Sequence, residues 1–476
     1  MHKHSGRILG GTIAAGLVWF SGIPLAYGAS TGTTCDDPVS TLRIYADPDL
    51  EMFGSGLTYR ANTPNLRQSL DYDTQDQSII AGTFAGSIDL GSGAVAPLQP
   101  PEEGFVAKYS VLGTLLWSHL IPRGSSIGRL NINAVATGPN DEVVITGNVA
   151  GSVDFGAGLQ TSQASVSSIF VAKYDATGVL QWSSLYGDSI TRSAGGQDIV
   201  VDANGRVYVA GYFEQRISFD PANTFVATDI EEHGYLLQLD PSGSVNWARA
   251  FLGDPSSAEA LTVDPSDNVI VAGGFSGTEV FGSTLLASSA GSRDIFVAKY
   301  DSGATSLWAK QFGGTGGETA TGLAALSNGD VAVSGEFEGL ASFDATNLSS
   351  AGDFDGFVGR LQAGSGAVLW ASPLGTASDD QFTSVDVGPA DSIFVGATMG
   401  SPLTAAGFAL GGASIVRYGP TGTLDWGTQV PNGFVVDVAA AEDCQVGFTG
   451  FSPNVPSVIG PDTYPTATAF YWFLQP

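Results

Sequence analysis

The sequence contains few of the residues on which most catalytic and metal sites depend. Among 476 residues there are two cysteines and four histidines. Beyond the first few residues only His119 and His233 remain, and neither belongs to a metal-binding or catalytic-triad motif. The motifs GxSxG and HExxH and a phosphate-binding glycine loop are absent as well. These absences disfavour zinc enzymes, serine hydrolases and nucleotide-binding enzymes.

Positive charge is also scarce. The chain has 18 Lys and Arg against 47 Asp and Glu, which gives a formal net charge of −29 at pH 7. A chain this acidic repels phosphate backbones, so nucleic acid is not an expected partner. Charged residues make up only 14% of the chain while hydrophobic residues make up 43%, and 64 residues are glycine. This composition indicates a globular protein rich in turns rather than a disordered one.

The first 28 residues are interpreted as a cleaved secretory signal peptide. Lys3 and Arg7 precede the apolar run ILGGTIAAGLVWF, and Ala26-Tyr27-Gly28 fits a small-x-small cleavage site. A membrane anchor is the alternative, but glycine and proline interrupt the apolar run and polar sequence follows it. We therefore expect a single mature domain over 29–476, without a transmembrane segment, that is secreted, periplasmic or on the cell surface.

Three landmarks recur along the chain and define a long repeat. A glycine turn followed by tryptophan, as in DATGVLQW, recurs at intervals of 56 to 65 residues and ends at Trp117, Trp182, Trp247, Trp308, Trp370 and Trp426. A β-rich run ending in a small residue, as in VYVAG, occurs seven times, and so does FVAKY with its variants. A period of this length indicates a repeat architecture.

Each period predicts four short strands and almost no helix. In residues 198–250 the strands are DIVVD, RVYVAGYF, YLLQL and VNWARAF. Tight turns at ANG and DPSG join the outer pairs, and a long loop joins the second strand to the third. Seven such periods predict an all-β fold, a seven-bladed β-propeller of four-stranded antiparallel blades. The six tryptophans are predicted to pack between adjacent blades, because a large aromatic side chain buries much apolar area.

The final period lacks a fourth strand. We predict that the run Leu42–Tyr45, within an N-terminal closing and linker segment at 35–64, supplies this strand, because an unpaired edge strand is a liability. Cys35 lies just before this run and Cys444 opens the second strand of the same blade. A Cys35–Cys444 disulfide is therefore a further hypothesis for a secreted chain, with two free cysteines as the alternative.

The repeated segments VYVAGYF, GSVDFG and DIFVAKYDSGATSLWAKQFGG resemble the bacterial seven-bladed β-propeller repeat known by the initials SBBP. The resemblance covers roughly residues 65–475 and implies a secreted or surface-exposed propeller without catalytic residues. The sixth and seventh copies depart from the pattern, since Ala397 replaces the glycine and the seventh lacks the glycine–tryptophan piece. DATGVLQW also resembles the tryptophan-docking motif of quinoproteins, whose alcohol-oxidising members carry adjacent cysteines that this chain lacks.

In the predicted fold the long loops and the links between blades emerge on one face of the ring. We place ligand binding on this long-loop face, near the mouth of the channel, because loops there vary without unfolding the core. The charged residues of the links are Arg123, Arg129, Asp188, Arg192, Asp254, Glu318, Asp379 and Asp380. Calcium is an open alternative at the clustered acids Asp71, Asp73 and Asp76, or at Asp47, Asp49 and Glu51, although neither set follows an EF-hand pattern.

These observations favour a monomeric, non-enzymatic binding scaffold outside the cell, with a protein or glycan partner and no cofactor apart from the calcium alternative. The alternative is a secreted enzyme. A carboxylate-dependent polysaccharide hydrolase or lyase would draw on Asp379 and Asp380, on Asp353 and Asp355, or on Glu318, although solvated loop acids are the better interpretation of these residues. A quinoprotein-like oxidoreductase is the other enzymatic alternative.

Overall fold

The computed structural model describes most of the chain from residue 69 onward. The undescribed positions in this part are 86–87, 89, 92–101, 112, 125–127, 165, 290–291, 431–433, 442–445, 453–456, 460–461, 465–467 and 476. Before residue 69 it describes only the backbone of the short strands β1 (Trp19–Phe20), β2 (Ile23–Pro24) and β3 (Thr41–Ala46). Cys35 and Cys444 both lie outside the described residues, so their disulfide stays a prediction.

Strands recur in groups that we call units 1 to 7, in chain order. Units 1 and 2 contain β4 (Ser69–Tyr72), β5 (Ser78–Ala85), β6 (Glu102–Tyr109) and β7 (Leu115–Ile121), then β8 (Arg129–Thr137), β9 (Val143–Ala150), β10 (Ser152–Asp154), β11 (Leu159–Thr161), β12 (Ser168–Tyr174) and β13 (Leu180–Tyr186). Unit 3 contains β14 (Ala194–Val201), β15 (Val207–Glu214), β16 (Arg216–Ser218), β17 (Thr224–Val226), β18 (Glu232–Leu239) and β19 (Val245–Ala250). Unit 4 contains β20 (Ser256–Val263), β21 (Val269–Ser276), β22 (Thr278–Phe281), β23 (Thr284–Ala287), β24 (Arg293–Tyr300) and β25 (Ser306–Gly314).

The second half of the chain continues this pattern. Unit 5 contains β26 (Glu318–Ala325), β27 (Val331–Phe343), β28 (Thr346–Leu361) and β29 (Val368–Leu374). Unit 6 contains β30 (Gln381–Gly388), a 3₁₀ turn at Pro389–Asp391, β31 (Ser392–Ala405), β32 (Phe408–Tyr418) and β33 (Leu424–Val430). Unit 7 contains β34 (Phe434–Ala440), β35 (Val446–Ser452), β36 (Ser457–Ile459), β37 (Asp462–Tyr464) and β38 (Thr468–Gln475). None of the described residues belongs to a helix long and apolar enough to cross a membrane.

The strands of each unit pair antiparallel with their sequence neighbours, as in the order β4-β5-β6-β7 of unit 1. In unit 7 the order is β3-β38-β35-β34, and the register pairs Leu42 with Leu474. The early strand β3 therefore occupies the place that the sequence predicts for Leu42–Tyr45. Units 4 and 5 share one eight-stranded sheet, because Gly313 and Gly314 at the end of β25 pair with β27.

The connection between the second and third strands differs from the predicted long loop. In units 2, 3, 4 and 7 it folds into a second, two-stranded hairpin: β10 with β11, β16 with β17, β22 with β23, and β36 with β37. In units 5 and 6 the second and third strands themselves run on into the hairpin. An aromatic side chain anchors the hairpins of units 2 to 5, since Phe155, Phe219, Phe281 and Phe343 are buried. The loop prediction was wrong because each arm of the hairpin is only three or four residues long.

Apolar side chains hold the units together on both faces of their central strands. Every residue of β12 is buried, whereas in β13 only the last residue is. Strands covered on both faces read as continuous apolar runs, which explains motifs such as SIFVAKY. Buried clusters also cross from one unit to the next, as where Ile169 and Val171 pack with Val207 and Val209. Burial between neighbours is what stabilises a repeat protein.

The repeated tryptophans form a contact between consecutive units that we call the tryptophan clasp. The indole N–H of one unit donates to a carbonyl in the turn between the third and fourth strands of the next unit. The pairs are Trp117–Ala176 (3.0 Å), Trp182–Pro241 (3.1 Å), Trp247–Ser302 (3.0 Å), Trp308–Ala363 (3.0 Å) and Trp370–Pro420 (3.0 Å). The ring lies against the glycine of that turn: a Cβ built on Gly178, where φ is +85°, would lie 2.8 Å from Trp117 Cδ2. This contact explains why the glycine turn and the tryptophan recur together.

The first strands of the units lie side by side. β4 packs on β8, β8 on β14, β14 on β20, β20 on β26, β26 on β30 and β30 on β34, and β34 packs back on β4. Aspartates connect several of these strands. The Asp198 carboxylate accepts the N–H of Leu261 in the next unit at 2.6 Å, and Asp437 accepts the N–H of Leu70 at 3.0 Å. The last unit thereby contacts the first through its innermost strands.

Candidate functional site

The first strands carry one irregularity at the same place, a β-bulge near the long-loop end. The register shifts by one residue in β8, β14, β20, β26, β30 and β34. The bulged residues are Asn133, Gln197, Glu259, Thr321, Thr383 and Val436. A bulge turns its side chain out of the regular alternation, which aims these mostly polar groups toward the neighbouring first strands.

Hydrogen bonds join three of the bulged side chains across units 2, 3 and 4. The Asn133 amide donates to Gly196 O at 2.7 Å and to Gln197 Oε1 at 3.4 Å. The Gln197 amide in turn donates to Glu259 Oε2 at 3.3 Å. All three side chains are half-buried. Together they form a polar row along the first strands, with the Glu259 carboxylate at one end.

Arg293 lies beside this row because unit 4 has a glycine where other units carry a side chain. Gly274 pairs with Ser257 of the first strand, a position that Tyr212 fills in unit 3 and Glu336 in unit 5. A Cβ on Gly274 would lie 2.8 Å from Arg293 Cζ, and the guanidinium also donates to Ser257 Oγ. The guanidinium has five N–H donors in a planar fork, so this single bond leaves most of its donor capacity for other acceptors.

Arg293 interacts electrostatically with two carboxylates, Glu232 of unit 3 and Glu336 of unit 5, and each of these has another acid beside it. Loss of hydration, followed by the charge of Asp379, raises the pKa of Glu336 to about 7, and Arg293 opposes this shift. Loss of hydration and the charges of Glu259 and Glu214 likewise raise the pKa of Glu232, again against Arg293. We call Glu232, Glu259, Glu336 and Asp379, together with Arg293, the mouth cluster. Its formal net charge is negative, and Glu336 is the member whose pKa is raised to about 7.

Three of the acids predicted for ligand binding form hydrogen bonds that hold the links in place. Asp188 accepts the N–H of Ile190 at 2.9 Å and pairs with Arg216 at 2.7 Å. Asp254 accepts the N–H of Thr278 at 2.7 Å. Asp380 is fully buried and accepts the N–H of Gly400 at 2.7 Å. These bonds position the links, and whether the three residues also contact a ligand stays a prediction.

The other predicted residues divide between buried and exposed positions. Arg123 is buried and donates to Gly128 O at 2.6 Å, and Glu318 is also buried. Arg192 forms an ion pair with Glu214 at 3.0 Å. Arg129 and Asp379 are exposed at the ends of their links. Of the eight predicted residues, only Asp379 belongs to the mouth cluster.

The acids predicted as calcium ligands serve other contacts. Asp73 forms a buried ion pair with Lys108 at 2.6 Å, and Asp71 accepts the N–H of Thr137 in unit 2 at 2.7 Å. Asp76 lies in the tight turn with a φ of 57°. Among the residues that the structure describes, no three His, Cys, Asp or Glu side chains converge as metal ligands. The second acidic set, at Asp47, Asp49 and Glu51, lies outside the described residues.

The polar row and the mouth cluster were not identified from the sequence, because their residue types do not recur from unit to unit. Gln197, Glu259 and Thr321 occupy the same bulge position, yet their residue types differ from unit to unit. A signal for these positions is nevertheless present in the sequence. The bulged residue varies in type and is polar in five of the six bulged strands, whereas its two neighbours are mostly small. Variable polar positions on a repeated scaffold are where a binding function is expected.

Comparison with known proteins gives one curated relative and several distant structural neighbours. No protein-family model matches the chain. An uncharacterized WD repeat-containing protein, L264 of Acanthamoeba polyphaga mimivirus, is 22% identical over 430 residues, which cover 72% of this chain and 30% of that protein. The chain thus spans less than a third of the length of this relative.

Two solved structures are similar at low identity. The Dos1 propeller is 10% identical with a TM-score of 0.41, over 91% of this chain and 95% of that one. Quinohemoprotein alcohol dehydrogenase from Comamonas testosteroni is 11% identical with a TM-score of 0.40, over 78% of this chain and 65% of that one. The antiparallel repeat units and the WD-repeat relative support a β-propeller repeat protein. They do not show that the chain belongs to the narrower SBBP family.

Proposed function

We propose that the protein is a seven-bladed β-propeller that acts outside the cell as a non-enzymatic binding scaffold, with its ligand at the mouth cluster. The ring is supported by the packing of each first strand on the next and of β34 on β4. It is also supported by the pairing of β3 with β38, which gives unit 7 a fourth strand. In this arrangement the units are the blades and the first strands line a central channel.

The observation that carries the binding function is the contrast between the mouth cluster and the remaining charged residues. Asp188, Asp254 and Asp380 are engaged by the protein's own donors. Arg293 instead interacts with acids of two neighbouring units, Glu232 and Glu336, which lie beside Glu259 and Asp379 respectively. A few convergent polar groups on a preformed scaffold are typical of a binding site. Their negative balance favours a protein or glycan partner with ammonium or hydroxyl groups.

Binding is tested with the full chain on a glycan array and on a panel of short peptides of graded charge. The mouth variant Glu232→Gln/Arg293→Ala should lose any ligand that the native protein binds. Gln181→Ala, an exposed change on β13 at the outer edge, is the matched control and should keep it. A ligand retained by the mouth variant but lost with Gln181→Ala would refute the mouth cluster as the binding site.

The extracellular location is a separate part of the proposal. It rests on the signal-like sequence of residues 1–28, in which the basic residues Lys3 and Arg7 precede an apolar run. Expression in a bacterial host, followed by intact mass measurement of the exported protein, should give a chain that starts at residue 29. An uncleaved chain in the cytoplasm would contradict this location.

A secreted carboxylate-dependent hydrolase is the second candidate, favoured by one observation. Glu336 has a pKa of about 7 and lies near the exposed carboxylate of Asp379, and a protonated acid beside a carboxylate is the pairing that glycoside hydrolysis requires. Turnover of a polysaccharide panel that is lost in both Glu336→Gln and Asp379→Asn would replace the scaffold with this enzyme. A stoichiometric quinone absorbance in the purified protein would favour the quinoprotein alternative.

A further inference from the structure

One structural position brings two side chains together at successive junctions between units. In five units, one residue of the third strand pairs with an apolar residue of the second strand at the same place in the sheet. These pairs are Glu103 with Phe84, Ser168 with Val149, His233 with Phe213, Asp294 with Phe275 and Asp355 with Phe337. The corresponding residue of the next unit's first strand is Leu130, Ala194, Ser256, Glu318 or Asp380. Two acids therefore meet at two junctions, between units 4 and 5 and between units 5 and 6.

At the first of these junctions Asp294 and Glu318 share one buried space. A Cβ on Gly313 would lie 2.6 Å from Asp294 Cγ and 2.9 Å from Glu318 Oε2, so both carboxyl groups border the same point. Asp294 accepts bonds on both oxygens, from Ser292 Oγ at 2.9 Å and from the Gln311 amide at 2.7 Å. Glu318 Oε2 accepts the N–H of Gly314 at 3.2 Å, while its buried Oε1 meets no donor.

The second junction repeats this asymmetry with different residues. Asp380 accepts bonds on both oxygens, from Gly400 N at 2.7 Å and from Thr376 Oγ1 at 2.9 Å. Asp355 accepts the N–H of Ala351 at 2.7 Å through Oδ2, while its buried Oδ1 meets no donor. In each pair one carboxyl group is surrounded by donors and the other has an oxygen left over. A buried oxygen without a donor is costly for an ionised carboxylate, whereas a protonated carboxyl can carry its own hydrogen there.

We propose that Glu318 and Asp355 each hold a proton in the folded protein, and that loss of these protons loosens the links 313–317 and 375–379 on the long-loop face. The charged groups facing Glu318 are Asp294 from β24 and Glu338 from β27, and the one facing Asp355 is Asp380 from the link before β30. All of them are acids, so ionisation places a second negative charge beside the first. This device does not depend on the ligand proposed above.

The electrostatics agree with this geometry. Burial, followed by the charges of Asp294 and Glu338, raises the pKa of Glu318 to about 7, although its bond from Gly314 lowers it. Burial and the charge of Asp380 also raise the pKa of Asp355. Both shifts favour the protonated form in the folded state. Because the folded protein then holds protons that an opened link releases, opening becomes easier as the pH rises, at 313–317 as it passes about 7.

The experiment is hydrogen–deuterium exchange of the full chain at pH 6 and pH 8.5, corrected for the intrinsic exchange rate. In the native protein the links 313–317 and 375–379 should exchange faster at the higher pH, with a gain on the order of 10-fold at 313–317, because only the part of the shift that lies above pH 6 contributes. Glu318→Gln, which cannot ionise, should abolish the gain at 313–317 and leave it at 375–379. Asp355→Asn should give the converse result. Asp379→Asn, an exposed acid next to the second pair, is the control and should keep both gains.

Three outcomes would overturn the proposal. The first is native exchange in both links that does not change with pH, and the second is a gain that persists in Glu318→Gln. The third is protection of the links at pH 8.5 by calcium alone, which would make each pair a cation site. If either variant fails to fold, infrared spectra of the native protein decide, because protonated carboxyl bands that vanish between pH 6 and pH 8.5 are required by the proposal.

Discussion

The junctions between units are of two kinds, and they differ in chemistry. In each of units 1 to 5, the fourth strand is held to the next unit by a tryptophan clasp. Among the described residues Trp426 makes no such clasp with unit 7, whose outer strands β38 and β3 are far apart in sequence and are not joined by a tight turn. Trp426 is buried instead in a cluster that includes Val435 and Phe448.

At these last junctions the first strands are joined by aspartates. Asp386 accepts the N–H of Ala440 at 2.7 Å, and Asp437 accepts Ser69 Oγ at 3.1 Å and Leu70 N at 3.0 Å. Burial raises the pKa of Asp386 to about 7 and that of Asp437 to about 6. The clasps depend on apolar contact and a neutral hydrogen bond, so they are indifferent to pH. The aspartate bridges are not. Asp71 and Asp198 make similar bridges at clasped junctions, so the bridges around unit 7 add to the pH dependence expected elsewhere in the chain.

The largest expected effect is the loss of a clasp. Trp308 is 8% exposed and contacts both Ala363 and Gly366 of unit 5. Trp308→Ala should lower the free energy of unfolding by about 3–5 kcal/mol, because it empties a large aromatic site. Trp308→Phe keeps most of the contact and loses only the hydrogen bond, at a cost of about 1 kcal/mol. Urea denaturation measures both. Equal costs for the two variants would mean that packing is not what the clasp contributes.

The receiving side of the same clasp can be broken next. Gly366 has a φ of +66°, and a Cβ there would lie 2.7 Å from Trp308 Cε3. Gly366→Ala should therefore cost about 2–3 kcal/mol, from backbone strain together with displacement of the indole ring. Gly364→Ala in the same turn has nothing within 4 Å and should change stability by less than about 0.5 kcal/mol. Thermal denaturation measures both variants. Equal melting curves for Gly366→Ala and Gly364→Ala would mean that Gly366 does not receive the Trp308 ring.

The bridge from unit 7 to unit 1 should respond less. Asp437→Asn retains one acceptor oxygen in place of two, so one of the backbone donors, Leu70 N or Val438 N, loses its partner. The expected cost is about 1–2 kcal/mol. Exchange measurements should show it as faster exchange in β4 and β34, with β14 and β20 unchanged. Uniform acceleration across all units would contradict a local role at the closure.

The smallest expected effect is a change in pH dependence. The folded protein protonates Asp386 with a pKa of about 7 against an ordinary value of 3.8, so stability supplied by that proton is lost as the pH rises between these values. Asp386→Asn cannot ionise but, like Asp437→Asn, leaves one backbone donor, Val387 N or Ala440 N, without an acceptor. The variant should therefore be less stable than the native protein at pH 4, and its deficit should shrink by at least about 1 kcal/mol at pH 8. Denaturation at the two pH values measures this. A deficit that grows between pH 4 and pH 8 would mean that the ionised carboxylate is favoured in the fold.

The repeated parts of this molecule follow directly from the sequence. The strand runs, the turn glycines and the tryptophans recur, so their positions along each unit could be aligned by inspection. The run Leu42–Tyr45 was identified because the last unit lacked a strand, and β3 indeed pairs with β38. The hairpins between second and third strands were not identified, because arms such as Ser152–Asp154 and Leu159–Thr161 are too short to show an alternating pattern.

The charged residues show where sequence reasoning ends. Asp379 and Asp380 are neighbours of the same type, yet Asp379 is exposed and Asp380 is fully buried. Whether each carboxylate is buried depends on which hydrogen-bond donors the folded link brings near it. For Asp380 that donor is the N–H of Gly400 in the following hairpin. Arg293 joins the mouth cluster only because Gly274 leaves room for it on another strand. Such pairings join residues about twenty positions apart, and no local pattern specifies them.

The tryptophan clasp has a consequence for how such a chain arises and changes. Each unit from 2 to 5 carries both halves of the contact, a tryptophan that reaches forward and a turn that receives the preceding one. A gene segment that encodes one such unit can therefore be copied in tandem and join its new neighbours without compensating mutations. Only the terminal units must be matched to each other. Duplication of units is thus constrained by the two terminal units and not by the inner ones. The polar bulge positions of the inner units can therefore diverge.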